Sequence, residues 1–580
     1  MNNNLQKALC ISAICIFSGF NASYANTEIQ DEYSTEHFYN LLTPNLVFPE
    51  KKAPFAVQDK LNILKTIAKK YPNDKNIQKL YHEHVGYFAR ENEYRYIALN
   101  ELKESLKYLD QQDKLEVIRM HDQIARSYTE IWKFKEAEKE YKIISKLMNN
   151  NKNLLKDHHI INDCTSRMYY HLGNGELNKI FPLYKKGWNV LDNKPQRDIN
   201  LELNLNEPII QYYFHTFSLN NAKDALDFHW SLAQETDNTN LKIFTQKEYI
   251  NYYKMMNDID KIEKTLKEIK KLNKGKYSKD SIENIDKNIA IANAYLYIAD
   301  MYVYAKDYAL APNIYDAKIK KYAQKAEKYA NEAVKHAQQY KEIYPVIYAL
   351  ALQSSANLSV KLNKYQDAEK QMTEAIEYYK KASPELSYFL FNGIKFFGFL
   401  YREMEQYDKS IEKYKEAEKA LNEINKLPYI EHAVLYAEMA KVYSKMNKET
   451  ESILYANKTI AISNLKFGVN SVRALESYKK KMNNYRNLGK TELAVNEAKE
   501  LLYKIKESGI DETYDIKFEC YFLIAKEQLK NGQLDNALTN AKKALEASFS
   551  ETNKAEANDL ISEIYSQQGN KLKEIQYKLK

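Results

Sequence analysis

The chain of 580 residues holds 13 Gly and 11 Pro, about 2% each, where ordinary globular proteins carry about 7% and 5%. Tight turns and phosphate-cradling loops depend on these two residues, so the composition argues against sandwiches, barrels, propellers and Gly-rich nucleotide folds and predicts a nearly all-helical chain. The 86 Lys+Arg and 78 Asp+Glu leave a net charge of +8, too dilute over this length for a nucleic-acid footprint, while 44% hydrophobic residues suffice for a core.

From the N-terminus, Met1 to Lys7 is polar with one positive side chain, Ala8 to Phe20 is apolar, and Ser23 and Ala25 are small residues three and one before a cut after Ala25. This is the pattern of a cleaved secretory signal. Its apolar run of 13 residues is shorter than the roughly 20 that a membrane-spanning helix needs. Neither Cys10 nor Cys15 follows a small residue, so neither reads as a lipid-anchor site. The expectation is an exported protein of the periplasm or cell envelope, not integral to the membrane after cleavage. Only Cys164 and Cys520 remain in the mature chain. They lie many repeats apart and read as buried small hydrophobes, so packing must replace a disulfide framework.

A repeat organises the rest. Ile394, Phe397, Gly398 and Tyr401 share one helix face, and Ser410, Tyr414 and Ala417 share a second, with a short turn between them. The pattern recurs one period earlier from Leu352 to Ala375, and later from Tyr436 to Thr459, from Tyr478 to Leu501 and from Tyr521 to Ala544, in steps of 42, 42, 42 and 43 residues. Ala356, Gly398, Ala440 and Ala525 fall where two helices must approach. Asn363-Lys-Tyr, Gly489-Lys and Asn531-Gly suit the turns between helices, and Pro345, Pro384 and Pro428 stand before first helices.

On these residues the chain resembles the tetratricopeptide repeat (TPR) superfamily, in a long variant of about 42 residues. The likeness is specific from about 349 to 546 and looser upstream, through Val85-Gly86, His121 to Tyr128 and weaker units near 160, 206, 243 and 292; the tryptophan usual in the short repeat is missing from every strong unit. The resemblance implies an all-α fold, a right-handed superhelical α-solenoid of about eleven or twelve antiparallel helix hairpins. The expected divisions are a signal peptide at 1–25, a lead segment at 26–57, divergent repeats at 58–335 with a loop insertion near 306–322, and regular repeats with terminal capping helices at 336–580.

No phosphate loop, dinucleotide fingerprint, His-Glu-x-x-His or Gly-x-Ser-x-Gly occurs, and neither cofactor nor metal is expected. The tightest polar cluster is Asp157-His158-His159 with Asp163, Cys164 and His171. It reads as a polar helix start, because four convergent metal ligands are not evident. Trp132, Trp188 and Trp230 read as core or hairpin anchors.

In the family resembled, first helices line a concave binding groove. The corresponding positions here include Lys395, Arg402, Lys441, Lys445, Lys479, Asn483, Arg486, Lys526 and Lys530; eight basic and three acidic residues fall among 20 positions, where the chain average of 86 in 580 predicts three basic ones. Lys479 and Asn483, backed by Lys441, Lys445 and Arg486, resemble the carboxylate clamp of chaperone-binding members, which implies an acidic peptide. The alternative is a solvated lysine-rich face. Upstream, Ile161, Cys164, Met168 and Leu172, then Ile210, Phe214 and Phe217, form an apolar strip that either packs within the superhelix or meets a partner. The function expected is a non-enzymatic, exported scaffold that binds a protein or peptide on its inner face, with no nucleic acid. The alternative is an extracytoplasmic sensor that binds a peptide or small ligand for a signalling partner.

Overall fold

A computed structural model describes residues 65–91, 95–193, 197–216, 218–307, 312–342, 345–382, 388–424, 430–467, 471–508, 514–548 and 550–579. The expected signal segment and the 26–57 lead lie outside the described residues, as do Phe217, Pro384 and Pro428.

From Lys75 onward the helices pair in chain order. The first hairpins are α1 (Lys75–Glu91) with α2 (Arg95–Lys107), α3 (Lys114–Glu130) with α4 (Phe134–Asn150), and α5 (Asp157–Asn174) with α6 (Ile180–Asp192). Next come α7 (Ile199–His215) with α8 (Leu219–Gln234), α9 (Thr239–Met255) with α10 (Ile259–Asn273), and a long pair, α11 (Ile282–Asp307) with α12 (Asp316–Ala337). The regular half holds α13 (Pro345–Lys361) with α14 (Tyr365–Ala382), α15 (Tyr388–Glu403) with α16 (Tyr407–Ile424), and α17 (Ile430–Lys445) with α18 (Glu449–Phe467). It ends with α19 (Val472–Asn487) and α20 (Thr491–Ser508), α21 (Tyr514–Lys530) and α22 (Leu534–Glu546), and α23 (Glu551–Gln567) and α24 (Lys571–Lys578). No strand occurs among the described residues. Each hairpin packs on its chain neighbours, so the fold is an α-solenoid, TPR-like in its architecture.

The small residues do what the repeat requires. A Cβ on Gly398 would lie 2.5 Å from the Tyr414 ring, so α15 and α16 touch backbone to ring there. Ser410 Oγ donates to the Gly398 carbonyl at 2.7 Å, and one repeat later Ser452 Oγ donates to the Ala440 carbonyl at 2.7 Å. Ala368, Ala494 and Ala537 fill the same place in other hairpins and are buried. Each of these hairpins turns through one left-handed residue: Asn363, Glu405, Asn447, Gly489 and Gly532, with φ of 58°, 58°, 55°, 68° and 71°. The following amide closes back on the ending helix, as Gln406 N does on the Tyr401 carbonyl at 2.8 Å. Upstream caps come from side chains, with Asp113, Asp198, Asn238 and Asp258 each accepting an amide of the first turn.

One expectation changes, and one open alternative is decided. The stretch expected as a loop through 322 re-enters helix early: a short 3₁₀ turn spans Pro312–Tyr315, and Asp316 begins α12. Ala323, Ala326, Ala330, Ala333 and Ala337 give α12 a buried small-residue face that packs on α11, so much of the added length becomes helix. The apolar strip is core: Ile161, Cys164, Met168, Leu172 and Ile210 are buried in one cluster with Leu205 and Leu226, and Phe214 packs against it. Both cysteines are free and buried. No helix among the described residues is long and apolar enough to cross a membrane.

Candidate binding face

Close backbone approaches between like helices of successive hairpins join first helices, as in α3–α5, α5–α7, α9–α11, α11–α13 and α21–α23. The first helices are drawn together, which makes them the inner wall of the stack.

Polar side chains lace that wall across helices. Between α1 and α3, Lys79 Nζ meets Glu116 at 3.0 Å and Arg119 Nη2 meets Glu83 at 2.7 Å. Arg90 and Arg95 converge on Glu130. Lys361 Nζ of α13 reaches Asp300 of α11 at 3.2 Å. In the regular half, Lys395 pairs with Glu431 at 3.6 Å and Arg402 pairs with Glu438. Lys479 Nζ lies 2.8 Å from Asp515 and 2.9 Å from Glu519, and Asn483 Nδ2 donates to Glu519 at 2.7 Å. The residues that resemble a carboxylate clamp therefore hold carboxylates of the next first helix. Burial raises the carboxyl of Glu438, but Lys441 and Arg402 outweigh it and hold it at about 2. Glu519 is likewise lowered against its burial by Lys479 and Asn483, whereas burial leaves Glu476 raised to about 7.

The other expected site residues differ in exposure. Lys441 Nζ donates to Glu438 at 2.7 Å. Lys445, Arg486, Lys526 and Lys530 are exposed on α17, α19 and α21, with Lys526 over the Phe522 ring at 4.6 Å.

Sequence reasoning missed a cleft of about 290 Å³ between α3, α5 and α7. On α5 it is lined by His158, Asn162, Thr165 and Tyr169, spaced four, three and four residues apart along one stripe, and by His159 and Asp163 beside them. Asp122 and Arg126 of α3 form one flank and Asn204 and Glu207 of α7 the other. Arg126 Nε lies 2.9 Å from Asp122 Oδ2 and donates to Ser166 Oγ at 2.6 Å, which ties α3 to α5. The Tyr169 hydroxyl donates to Glu207, and burial raises that carboxyl above its usual range despite Tyr169 and Arg126. One helix on, Gln211 donates to Glu248 at 3.0 Å, and burial pushes the Glu248 carboxyl up to about 7. The groups weighed as metal ligands have separate partners: His159 Nδ1 accepts the Lys156 amide at 3.1 Å, Asp163 binds Arg167 at 2.7 Å, and His171 meets Glu176 at 2.7 Å. Burial pushes the Cys164 thiol up to about 11.

Stacked hairpins with a polar inner wall define the class, a TPR-like helical-repeat protein. Among solved structures, yeast Tom70 is similar over 86% of this chain and 97% of that one, at 13% identity and a TM-score of 0.35. The apo quorum sensor NprR from B. thuringiensis is similar over 66% and 97%, at 11% identity and 0.36. A Rap protein complexed with competence and sporulation factor is similar over 72% and 95%, at 13% identity and 0.33. No family model matches the chain, and no curated protein matches it.

Proposed function

We propose that this protein is an exported, non-catalytic scaffold that holds a protein or peptide against the inner wall of its helical stack. The observation that carries the reading is the cleft of about 290 Å³ between three successive first helices, with side-chain donors and acceptors from each of them. An extended chain presents N–H and C=O groups at regular intervals, and a row of polar side chains on parallel helices can satisfy them without chemistry on the partner. Lys445, Arg486, Lys526 and Lys530, exposed along the same wall, favour a partner with acidic side chains. The buried thiols of Cys164 and Cys520 are both raised by burial, which disfavours the thiolate a nucleophile needs and supports binding over catalysis. Export rests on the Met1 to Ala25 pattern. The size of the cleft favours a second reading, a sensor that encloses a small ligand.

The test is site-specific photo-cross-linking in host envelope extract. A cross-linker at Asn204 in the cleft is expected to capture a polypeptide that one at Lys142, exposed on second helix α4, does not. Equal capture from both positions contradicts the reading.

A further inference from the structure

The cleft has more hydrogen-bond acceptors than its own donors use. Asp122 is 8% exposed, and its Oδ1 is buried without a hydrogen-bond partner while Oδ2 takes Arg126. Pro208 sits inside α7. It has no N–H, so the helical bond that would close on the carbonyl of Asn204, four residues earlier, is missing. That carbonyl belongs to a residue lining the same cleft. Glu207 adds a second carboxylate to the lining, with the Tyr169 hydroxyl as its hydrogen-bond donor. On the other side Thr165, 5% exposed, has a buried Oγ1 with no partner. Arg126 is held through Nε, and its side chain retains 27% exposure.

Buried polar atoms without partners are costly, and a site that leaves acceptors open beside an anchored cation suits a ligand with the complementary pattern. Several acceptors call for a group with several N–H donors. A guanidinium and a hydroxyl beside them call for an oxygen. A bare diamine would meet Arg126 as a like charge, whereas an ammonium one carbon from a carbonyl offers both halves at the right spacing.

We propose that the cleft between α3, α5 and α7 binds an α-ammonium group with the carbonyl or carboxylate next to it. Asp122 Oδ1, Glu207 and the Asn204 carbonyl accept from the nitrogen, while Thr165 Oγ1 and Arg126 donate to the oxygen. This deepens the reading of the inner wall as a polypeptide-binding face and rests on it: the scaffold would take a partner by its amino-terminal end. A free amino acid carries the same group.

The experiment uses the full chain and four probes in ligand-observed NMR and calorimetry. They are a pool of Xaa-Ala-Ala-Ala amides with free amino termini, the same pool N-acetylated, a mixture of free L-amino acids, and putrescine. Binding of the free-amine pool, weakened at least about 10-fold by acetylation, is expected, since a charge-assisted hydrogen bond is lost. Binding of amino acids but not of the peptide pool supports the α-ammonium site and overturns the polypeptide reading. Equal binding of free and acetylated pools overturns the α-ammonium site and leaves the polypeptide reading standing. Putrescine binding as well as the peptides do, or no probe binding at all, overturns the α-ammonium site.

Three variants of the chain add a second readout. Asp122→Asn is expected to weaken binding about 10- to 100-fold and Thr165→Val about 3- to 10-fold. Pro208→Ala restores the amide that closes on Asn204, so it should raise the melting temperature while weakening binding about 3- to 10-fold. A Pro208→Ala protein that is more stable and binds unchanged removes the Asn204 carbonyl from the site and counts against the proposal.

Discussion

Lys479 Nζ of α19 sits 2.8 Å from Asp515 Oδ2 of α21, in a sequence separation of 36 residues that recurs in Lys395–Glu431, Arg402–Glu438 and Asn483–Glu519. First helices start 42 residues apart, so side chains that meet across the wall lie six residues, about one and two-thirds turns, out of register, which is the stagger between successive first helices. These pairs join one hairpin to the next at side chains that are largely buried.

Lys479→Ala leaves Asp515 and Glu519 without their cation and should cost about 3 kcal/mol, the scale for breaking a buried pair from one side. In a stack whose units contact only their neighbours the loss is local. Hydrogen exchange should quicken in α19 to α21 and stay unchanged in α3 to α7.

The exposed cations behave differently. Replacing Lys445, Arg486, Lys526 and Lys530 by Ala should change stability by no more than about 0.5 kcal/mol each. The same change should weaken an acidic partner and flatten the salt dependence of its binding, as titrations at two ionic strengths would read.

Gly398→Ala drives a methyl to 2.5 Å from the Tyr414 ring. Overpacking of this kind costs about 2 kcal/mol, and Tyr414→Leu in the same chain should recover part of it in a denaturant titration.

Glu405 holds φ of 58° in a turn where Gly489 and Gly532 stand two and three repeats on. Left-handed backbone costs an L side chain about 1–2 kcal/mol, and glycine returns part of that as chain entropy. Glu405→Gly should therefore stabilise by about 0.5 kcal/mol, whereas Gly489→Glu should destabilise.

Burial raises the folded pKa of Glu248 from 4.5 to about 7. An acid raised on folding binds more protons in the native state, so its contribution is most favourable below the unfolded value and is lost as pH rises from about 4.5 to 7. Glu248→Gln should flatten that decline by about 3 kcal/mol at most. His229 and His432, lowered by burial to about 4, act in the opposite sense, and their contribution falls away as pH drops from 6.5 towards 4.

The regular half was legible because helix contact there leaves a mark in residue size. Gly398 against Tyr414, and the buried alanines at the same positions of other hairpins, repeat with the chain's period. The cleft was not legible as a cleft, although His158, His159 and Asp163 of the polar cluster line it. In α5 the core stripe of Ile161, Cys164, Met168 and Leu172 lies beside the inner stripe of His158, Asn162, Thr165 and Tyr169, and a shift of one residue exchanges them. The clamp-like residues were found, but their occupants were not, because pairing Lys479 with Asp515 requires the stagger as well as the repeat. A basic residue answered by an acidic one 36 positions on was the available signal. The stretch expected as loop up to 322 is helical from Asp316 because Pro312 begins a 3₁₀ turn that leads directly into α12.

The most direct measurement is hydrogen exchange of the full chain with and without the partner captured through Asn204. Slowed exchange concentrated in the first helices α3, α5 and α7, with second helices α4, α6 and α8 unchanged, is the predicted result. Protection confined to the second helices, or none in either set, would contradict the inner wall as the working face.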